Sequence, residues 1–203
     1  MRTGRYPSIA SASTVIQDSH YLTCFARVQA LGAARAPDLA TAHRFAVHIQ
    51  ATCQAEAALH ETFLSALGVS EAERRGTPVA PTCYAYTSHL IRVAYEGTLG
   101  EIVAALLPCY WLYREVGERF RDASPPVELY RRWLEAYRSP WFDELVREQI
   151  ERLDRLAGAA PGAERERMAR HFLTSTRYEW LFWEMAYRGE TWPDGQGREG
   201  AEA

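Results

Sequence analysis

The segment Val15–Val28, VIQDSHYLTCFARV, places Val15, Leu22, Phe25 and Val28 at the spacing of one helix face. An apolar stripe of this kind packs against other helices. Asp18 lies on the same stripe, three residues after Val15 and four before Leu22. A carboxylate inside a helical core is costly unless it is paired or hydrogen-bonded. The segment therefore predicts a helical core with a polar group inside it.

The rest of the chain repeats this pattern. Gly and Pro divide it into segments with the helical period of about 3.6 residues, and we find none with the period of two that is typical of a half-buried strand. We predict an all-α protein with a single domain over residues 14–192, a loose N-terminal segment at 1–13 and a flexible tail at 193–203. The predicted helices cover about 14–34, 37–67, 82–95, 99–121, a segment ending near 137, 140–156 and 163–188, with a short helix between Ser70 and Gly76.

Composition excludes several functional classes. The chain of 203 residues carries 23 Lys+Arg, all of them arginine, against 26 Asp+Glu, and the net charge of -3 offers no basic excess for nucleic acid or an anionic membrane. Without lysine there is no Schiff-base or P-loop lysine. The longest apolar run, Ile102–Leu107, ends at Pro108, far short of the ~20 residues of a membrane span. We expect a cytoplasmic protein.

Cysteine usage points to a reducing compartment. The 4 cysteines, Cys24, Cys53, Cys83 and Cys109, form no C-x-x-C pair and no zinc pattern. We therefore expect free thiols.

A second acid occupies an apolar helix face near the end of the chain. Helical spacing surrounds Glu179 with Phe172, Phe182 and Trp183. Asp18 and Glu179 would both point inward, from the first and the last long helix. Together they predict a polar cavity in the core.

Cys109 is a further candidate for this cavity. It follows Pro108, whose missing N–H removes one helix hydrogen bond and tends to open space beside it, and Tyr113 lies one turn later. From spacing alone, Cys109 is either inert packing or a nucleophile, and the pattern predicts a pocket without a reaction. Other hydroxyls that fall on or beside apolar stripes are those of Tyr21, Tyr86 and Tyr137.

The case for a metal is weaker. Glu56 and His60 lie one turn apart and could ligate an ion, but an ordinary helix-face hydrogen bond explains them as well. The pair of Glu-x-x-His motifs of di-iron bundles is absent from the sequence. We expect no metal and no organic cofactor.

Six segments form a recognisable set: QDSHYL at 17–22, EAALH at 56–60, PTCYAYTSHL at 81–90, AALLPCYWLY at 104–113, YRRWLEAY at 130–137 and YEWLFWEMA at 178–186. Together they resemble the TenA family, also called thiaminase II or aminopyrimidine aminohydrolase. The resemblance runs from about residue 15 to 192 in the family's order, and it implies a heme-oxygenase-like helical bundle, a homotetramer and a role in thiamin salvage.

The resemblance also implies a reaction. The family hydrolyses 4-amino-5-aminomethyl-2-methylpyrimidine to the 5-hydroxymethyl compound and ammonia, and it cleaves thiamin to the same pyrimidine. By resemblance, Cys109 is the nucleophile, Tyr21 hydrogen-bonds its thiol, and Glu179 is the proton donor. The implied substrate-binding residues are Asp18 at the amino edge of the pyrimidine, and Tyr86, Tyr113 and Tyr137 at its ring.

The sequence departs from the family pattern at its start, and two other functional hypotheses remain beside the hydrolase. Family members carry a further helix before the Gln-Asp motif, whereas only 16 residues precede Gln17 here, so we expect the family's first helix to be missing. The first alternative is a noncatalytic pyrimidine-binding or regulatory protein on the same fold. The second, a metal-dependent oxidase, is disfavoured by the absent ligand pairs.

Overall fold

A computed structural model of the chain describes residues 12–193, apart from the side chains at 56, 59–61 and 129. This region is helical without any strand, which confirms the predicted all-α, single-domain fold. Of the expected loose ends at 1–13 and 193–203, residues 1–11 and 194–203 lie outside the described residues, whereas residues 12 and 13 already belong to the first helix. The elements are α1 (Ala12–Ala34), α2 (Leu39–Leu59), a π-helical turn (His60–Leu64), α3 (Glu71–Gly76), α4 (Pro81–Glu96), α5 (Leu99–Arg119), α6 (Glu128–Tyr137), α7 (Pro140–Ala159) and α8 (Gly162–Arg188).

The start of α2 corrects one prediction. The helix does not begin near Pro37; its first residue is Leu39. The reason is the carboxylate of Asp38, which accepts a hydrogen bond from the backbone N–H of Thr41 at 2.7 Å. Asp is a strongly preferred N-cap because it satisfies an amide of the first turn that has no partner within the helix. Gly68, with a φ of 70°, follows the end of this helical segment as predicted.

Two reciprocal caps open α3 and α5. The predicted capping box of Ser70 and Glu73 is present at the start of α3. A second box, not identified from the sequence, joins Thr98 and Glu101 at the start of α5. The Glu101 carboxylate also accepts a hydrogen bond from Nε of Arg167 at 2.6 Å. Glu101 therefore ties the first turn of α5 to α8.

Helix α5 lies at the centre of the molecule. All residues from 100 to 108 are buried, and the helix packs against α1, α4, α6, α7 and α8. It continues through Pro108 to Arg119, so the proline does not end it. Within the described residues, no helix has the length and apolarity needed to cross a membrane.

A glycine sets the distance between α5 and α6. A Cβ atom on Gly117 would lie 2.6 Å from the carbonyl oxygen of Tyr137. This is closer than any side chain allows, so only glycine lets the end of α6 pack here. The contact brings Tyr137 against α5, close to the predicted site.

Candidate active site

Most of the predicted site residues line one cavity. It has a volume of about 380 Å³ and lies among α1, α2, α5, α6 and α7. Tyr86 and Glu179 are buried next to Tyr21 at its wall. The structure therefore brings together groups from five helices. The predicted residues that line the cavity itself are Asp18, Tyr21, Cys109, Tyr113 and Tyr137.

Glu179 is the acid of this cluster. The hydroxyl of Tyr86 donates to its Oε1 at 2.7 Å, and the hydroxyl of Tyr21 lies 3.4 Å from the same oxygen. Burial raises the pKa of Glu179 to about 7, although the hydrogen bond from Tyr86 opposes that rise. The carboxyl group is therefore divided between its neutral and ionised forms near neutral pH.

The thiol of Cys109 interacts with the same groups. Both Tyr21 and Glu179 are close enough to the thiol to affect its pKa. Burial raises its pKa well above the usual range, and the charge of Glu179 raises it further. The resting group is therefore a thiol, and it needs a base before it can act as a nucleophile.

Asp18 is the second acid. It lies on α1 one turn before Tyr21, and its half-buried side chain borders the cavity. Burial raises its pKa to about 7. Its charge also helps to raise the pKa of both Glu179 and Cys109. Two acids and one sulfur are thus close enough to influence one another's protonation.

Aromatic rings cover another side of the cavity. The ring centroids of Tyr113 and Tyr137 are 4.9 Å apart, and Trp133 lies 4.9 Å from Tyr137. Phe142 meets Tyr137 edge-on at 5.1 Å. We did not predict Trp133, although its position one turn before Tyr137 on the strongly amphipathic α6 was a usable signal. These rings form a surface suited to a flat heterocycle.

A larger cavity of about 670 Å³ adjoins the first. The two share Asp18, Phe63, Tyr113 and Trp133 as lining residues. Val116 and Phe182 contribute to its mostly apolar wall. The shared residues therefore form the boundary between the two spaces.

The described residues contain no group of three or more His, Cys, Asp or Glu side chains placed to hold a metal ion. The side chains of Glu56 and His60, the weak metal candidates of the sequence, lie outside the described part of the structure.

Comparison with known proteins identifies the family. The chain is 49% identical over 180 residues to an aminopyrimidine aminohydrolase of Bacillus subtilis (strain 168), covering 89% of this chain and 76% of that protein. A protein of the same name from Halalkalibacterium halodurans is 36% identical, with coverages of 87% and 80%. A solved structure described as a TenA homologue from P. horikoshii OT3 superposes with a TM-score of 0.76 at 28% identity, covering 88% of this chain and 82% of that chain. The family model described as TENA/THI-4/PQQC matches residues 13–189, and the chain belongs to this family, as its sequence motifs predicted.

Proposed function

We propose that this chain is a hydrolase of thiamin salvage that converts 4-amino-5-aminomethyl-2-methylpyrimidine to the 5-hydroxymethyl compound and ammonia, and that it also cleaves thiamin. One observation carries the proposal: Cys109 lines a cavity of about 380 Å³, and Glu179, buried at the wall of that cavity beside Tyr21, is close enough to affect the pKa of the Cys109 thiol. A small flat heterocycle fits a cavity of that size. The names of the two bacterial relatives support the same activity.

The first step is activation of the sulfur. Glu179 has a pKa of about 7, so a substantial fraction is ionised at neutral pH and can accept the proton of the Cys109 thiol. The proton then passes from the carboxyl group to a ring nitrogen while sulfur bonds to a ring carbon. Glu179 thus acts first as a base and then as an acid. Tyr21 contacts both partners and keeps them aligned.

The second step exchanges the substituent. Addition of sulfur interrupts the aromaticity of the ring and leaves an electron pair on nitrogen. When that pair moves back toward the ring, the bond between the exocyclic carbon and its amino nitrogen breaks. This aminomethyl nitrogen is a protonated primary amine at neutral pH, so it leaves as ammonia, and the exocyclic carbon becomes a methylene group joined to the ring by a double bond. Water bonds to the methylene carbon and releases one proton to solvent. The carbon–sulfur bond then breaks, and the proton on the ring nitrogen returns through Glu179 to the sulfur, which restores both the aromatic ring and the thiol. No external oxidant or reductant is consumed.

The remaining residues hold the ring. Asp18 would accept hydrogen bonds from the amino edge of the pyrimidine, since a carboxylate offers acceptors to an N–H₂ donor. Tyr113 and Tyr137 would stack against its faces or edges. Tyr86 would hold Glu179 in place through the 2.7 Å hydrogen bond.

The direct experiment measures ammonia release from the aminomethylpyrimidine. We expect Cys109→Ser to lose at least about 100-fold in kcat, because serine is a far weaker nucleophile at the same place. Cys53→Ser, which removes an exposed thiol, is the matched control and should retain full activity. Equal rates for wild type and Cys109→Ser would rule out the nucleophile. Tight binding of the pyrimidine without turnover by the wild type would instead support a noncatalytic binding protein.

We also propose that the chain acts in the cytoplasm as a homo-oligomer, a tetramer by family resemblance. The outer face of α8 supports assembly because Leu173, Trp180 and Tyr187 lie seven residues apart and are 53%, 61% and 65% exposed. Large apolar side chains aligned on one helix face are typical of an interface between proteins.

A further inference from the structure

A buried polar network lies behind the cavity and takes no part in the proposed chemistry. It consists of Thr52 and His48 on α2, Gln29 on α1, Tyr110 on α5, and Glu148 and Gln149 on α7, and we call it the Tyr110 network. Apart from Glu148, its members are buried. Buried polar groups are costly unless they are satisfied, so such a network needs a reason.

One end of the network is a fixed negative charge. Arg44 and Arg152 both pair with the Glu148 carboxylate, and Nε2 of His48 lies 3.4 Å from it. Burial alone would raise the pKa of Glu148, but hydrogen bonds from His48 and Arg44 hold it well below its usual range. The carboxylate can only accept, so His48 must donate from Nε2. Burial lowers the pKa of His48, which leaves Nδ1 without a proton.

The rest of the network follows from this assignment. Nδ1 of His48 lies 3.0 Å from the Tyr110 hydroxyl, which therefore donates to it. The same hydroxyl accepts from Nε2 of Gln29 at 2.6 Å, and Oε1 of Gln29 accepts from Thr52 at 3.1 Å. Each residue in the series from Thr52 through Gln29, Tyr110 and His48 thus donates a hydrogen bond to the next one, and the last acceptor is Glu148. The orientation of Tyr110 is set by hydrogen-bond partners from two other helices, Gln29 on α1 and His48 on α2.

Tyr110 connects this network to the reacting groups. It follows Cys109 directly in α5, and it lines the same cavity. Its ring centroid is 5.4 Å from that of Phe25, which in turn lies 5.6 Å from that of Tyr21. Tyr21 is close enough to the Cys109 thiol to affect its pKa. A shift of Tyr110 would therefore reach the thiol both through the helix backbone and through the packed rings.

We infer that the Tyr110 network is a positioning device, which holds the turn of α5 that carries Cys109 so that the thiol stays aligned with Tyr21 and Glu179. This inference rests on the proposed function for its effect on turnover. Its effect on the geometry of the thiol is independent of any substrate. His48, Gln29 and Glu148 touch none of the reacting groups and act only through Tyr110.

Two substitutions at one position separate this role from a purely structural one. His48→Asn places a carboxamide near the position of Nδ1 and keeps an acceptor for Tyr110, whereas His48→Gln reaches the position of Nε2 and keeps only the contact with Glu148. Displacement of a catalytic group by about 1 Å costs roughly 100-fold in rate. We expect kcat for ammonia release to stay within about threefold of wild type in His48→Asn and to fall roughly 10- to 100-fold in His48→Gln.

A second measurement follows the thiol without substrate. Iodoacetamide labelling of Cys109, read by peptide mass spectrometry, should be about threefold or more faster in His48→Gln than in wild type or His48→Asn, because a loosened turn exposes the sulfur. Tyr110→Phe should behave like His48→Gln and serves if both His48 variants fail to fold. Tyr84→Phe, at an exposed position of α4, is the control and should match wild type.

The outcomes are distinct. Equal kcat and equal labelling in the Asn and Gln variants would overturn the inference, as would wild-type behaviour of Tyr110→Phe. Absence of ammonia release by the wild type, with labelling still different between the two His48 variants, would contradict the proposed function and leave the positioning role supported.

Discussion

Replacing Glu179 with glutamine should stabilise the protein above pH 7 while it removes activity. Burial raises the pKa of this carboxyl from 4.5 to about 7. Because the pKa in the folded state is the higher one, the protonated group favours folding. That contribution is fully present below pH 4.5 and is lost as the pH rises through about 7. Glutamine is neutral at every pH and keeps an acceptor oxygen for the hydroxyl of Tyr86.

The expected size follows from the pKa difference. A rise from 4.5 to about 7 is worth about 3 kcal/mol in the free energy of unfolding once the pH exceeds both values, at about 1.4 kcal/mol per pH unit. Urea unfolding followed by circular dichroism should therefore show an advantage of Glu179→Gln over wild type that grows by about 3 kcal/mol between pH 4 and pH 8.5. Over the same range, ammonia release by the variant should be lost.

The control is a carboxylate on the same helix. Glu184 pairs with Arg188 at 2.8 Å, and Glu184→Gln should change the free energy of unfolding by no more than about 0.5 kcal/mol at either pH. An advantage of Glu179→Gln that is the same at pH 4 and pH 8.5 would refute the burial argument. Full activity of that variant would refute the role of Glu179 as base and acid.

Further predictions concern the hydrogen bond to the acid, the helix contact and the assembly. Tyr86→Phe removes the 2.7 Å hydrogen bond that opposes the rise in the pKa of Glu179, so the acidic limb of the pH–rate profile should move to higher pH and kcat at pH 7 should fall about tenfold. Gly117→Ala forces a Cβ against the carbonyl of Tyr137, and thermal unfolding should show a loss of about 1–3 kcal/mol together with a raised KM. Trp180→Glu puts a charge on the exposed face of α8, and light scattering should show smaller assemblies than wild type; an unchanged mass would exclude that face as the interface.

The helices and their buried faces were predictable from the sequence because the helical period of apolar residues marks both. Val15, Phe25 and Val28 are buried as predicted, and Leu22 is partly buried against the core. This stripe was predictable because spacing along one helix is a local property of the sequence. The end of a helix is less predictable because it depends on which nearby side chain caps it. At α2 the carboxylate of Asp38 caps the helix, so the helix begins after Pro37.

The site was predictable only in part, for a related reason. Spacing within α8 placed Glu179 on the inward face, but spacing cannot say which group on another helix meets it. The Tyr86–Glu179 hydrogen bond joins residues 93 positions apart. His48 was left without a role because its partners lie 62 positions away at Tyr110 and on α7 at Glu148. Distances between helices are set by packing of the whole core, which a single sequence does not display.

Glu101 caps α5 and also pairs with Arg167 on α8. These two contacts together fix the position of Cys109 along α5 relative to that of Glu179 along α8. Cys109 lies eight residues beyond Glu101 on α5, and Glu179 lies twelve beyond Arg167 on α8. With a rise of about 1.5 Å per residue, the ion pair lies roughly 12 Å along α5 from Cys109 and roughly 18 Å along α8 from Glu179. A shift of α5 along α8 would then separate Cys109 from Glu179 without changing which residues line the cavity. Loss of the ion pair between Glu101 and Arg167 should therefore disturb the alignment of Cys109 with Glu179, although the pair is remote from both.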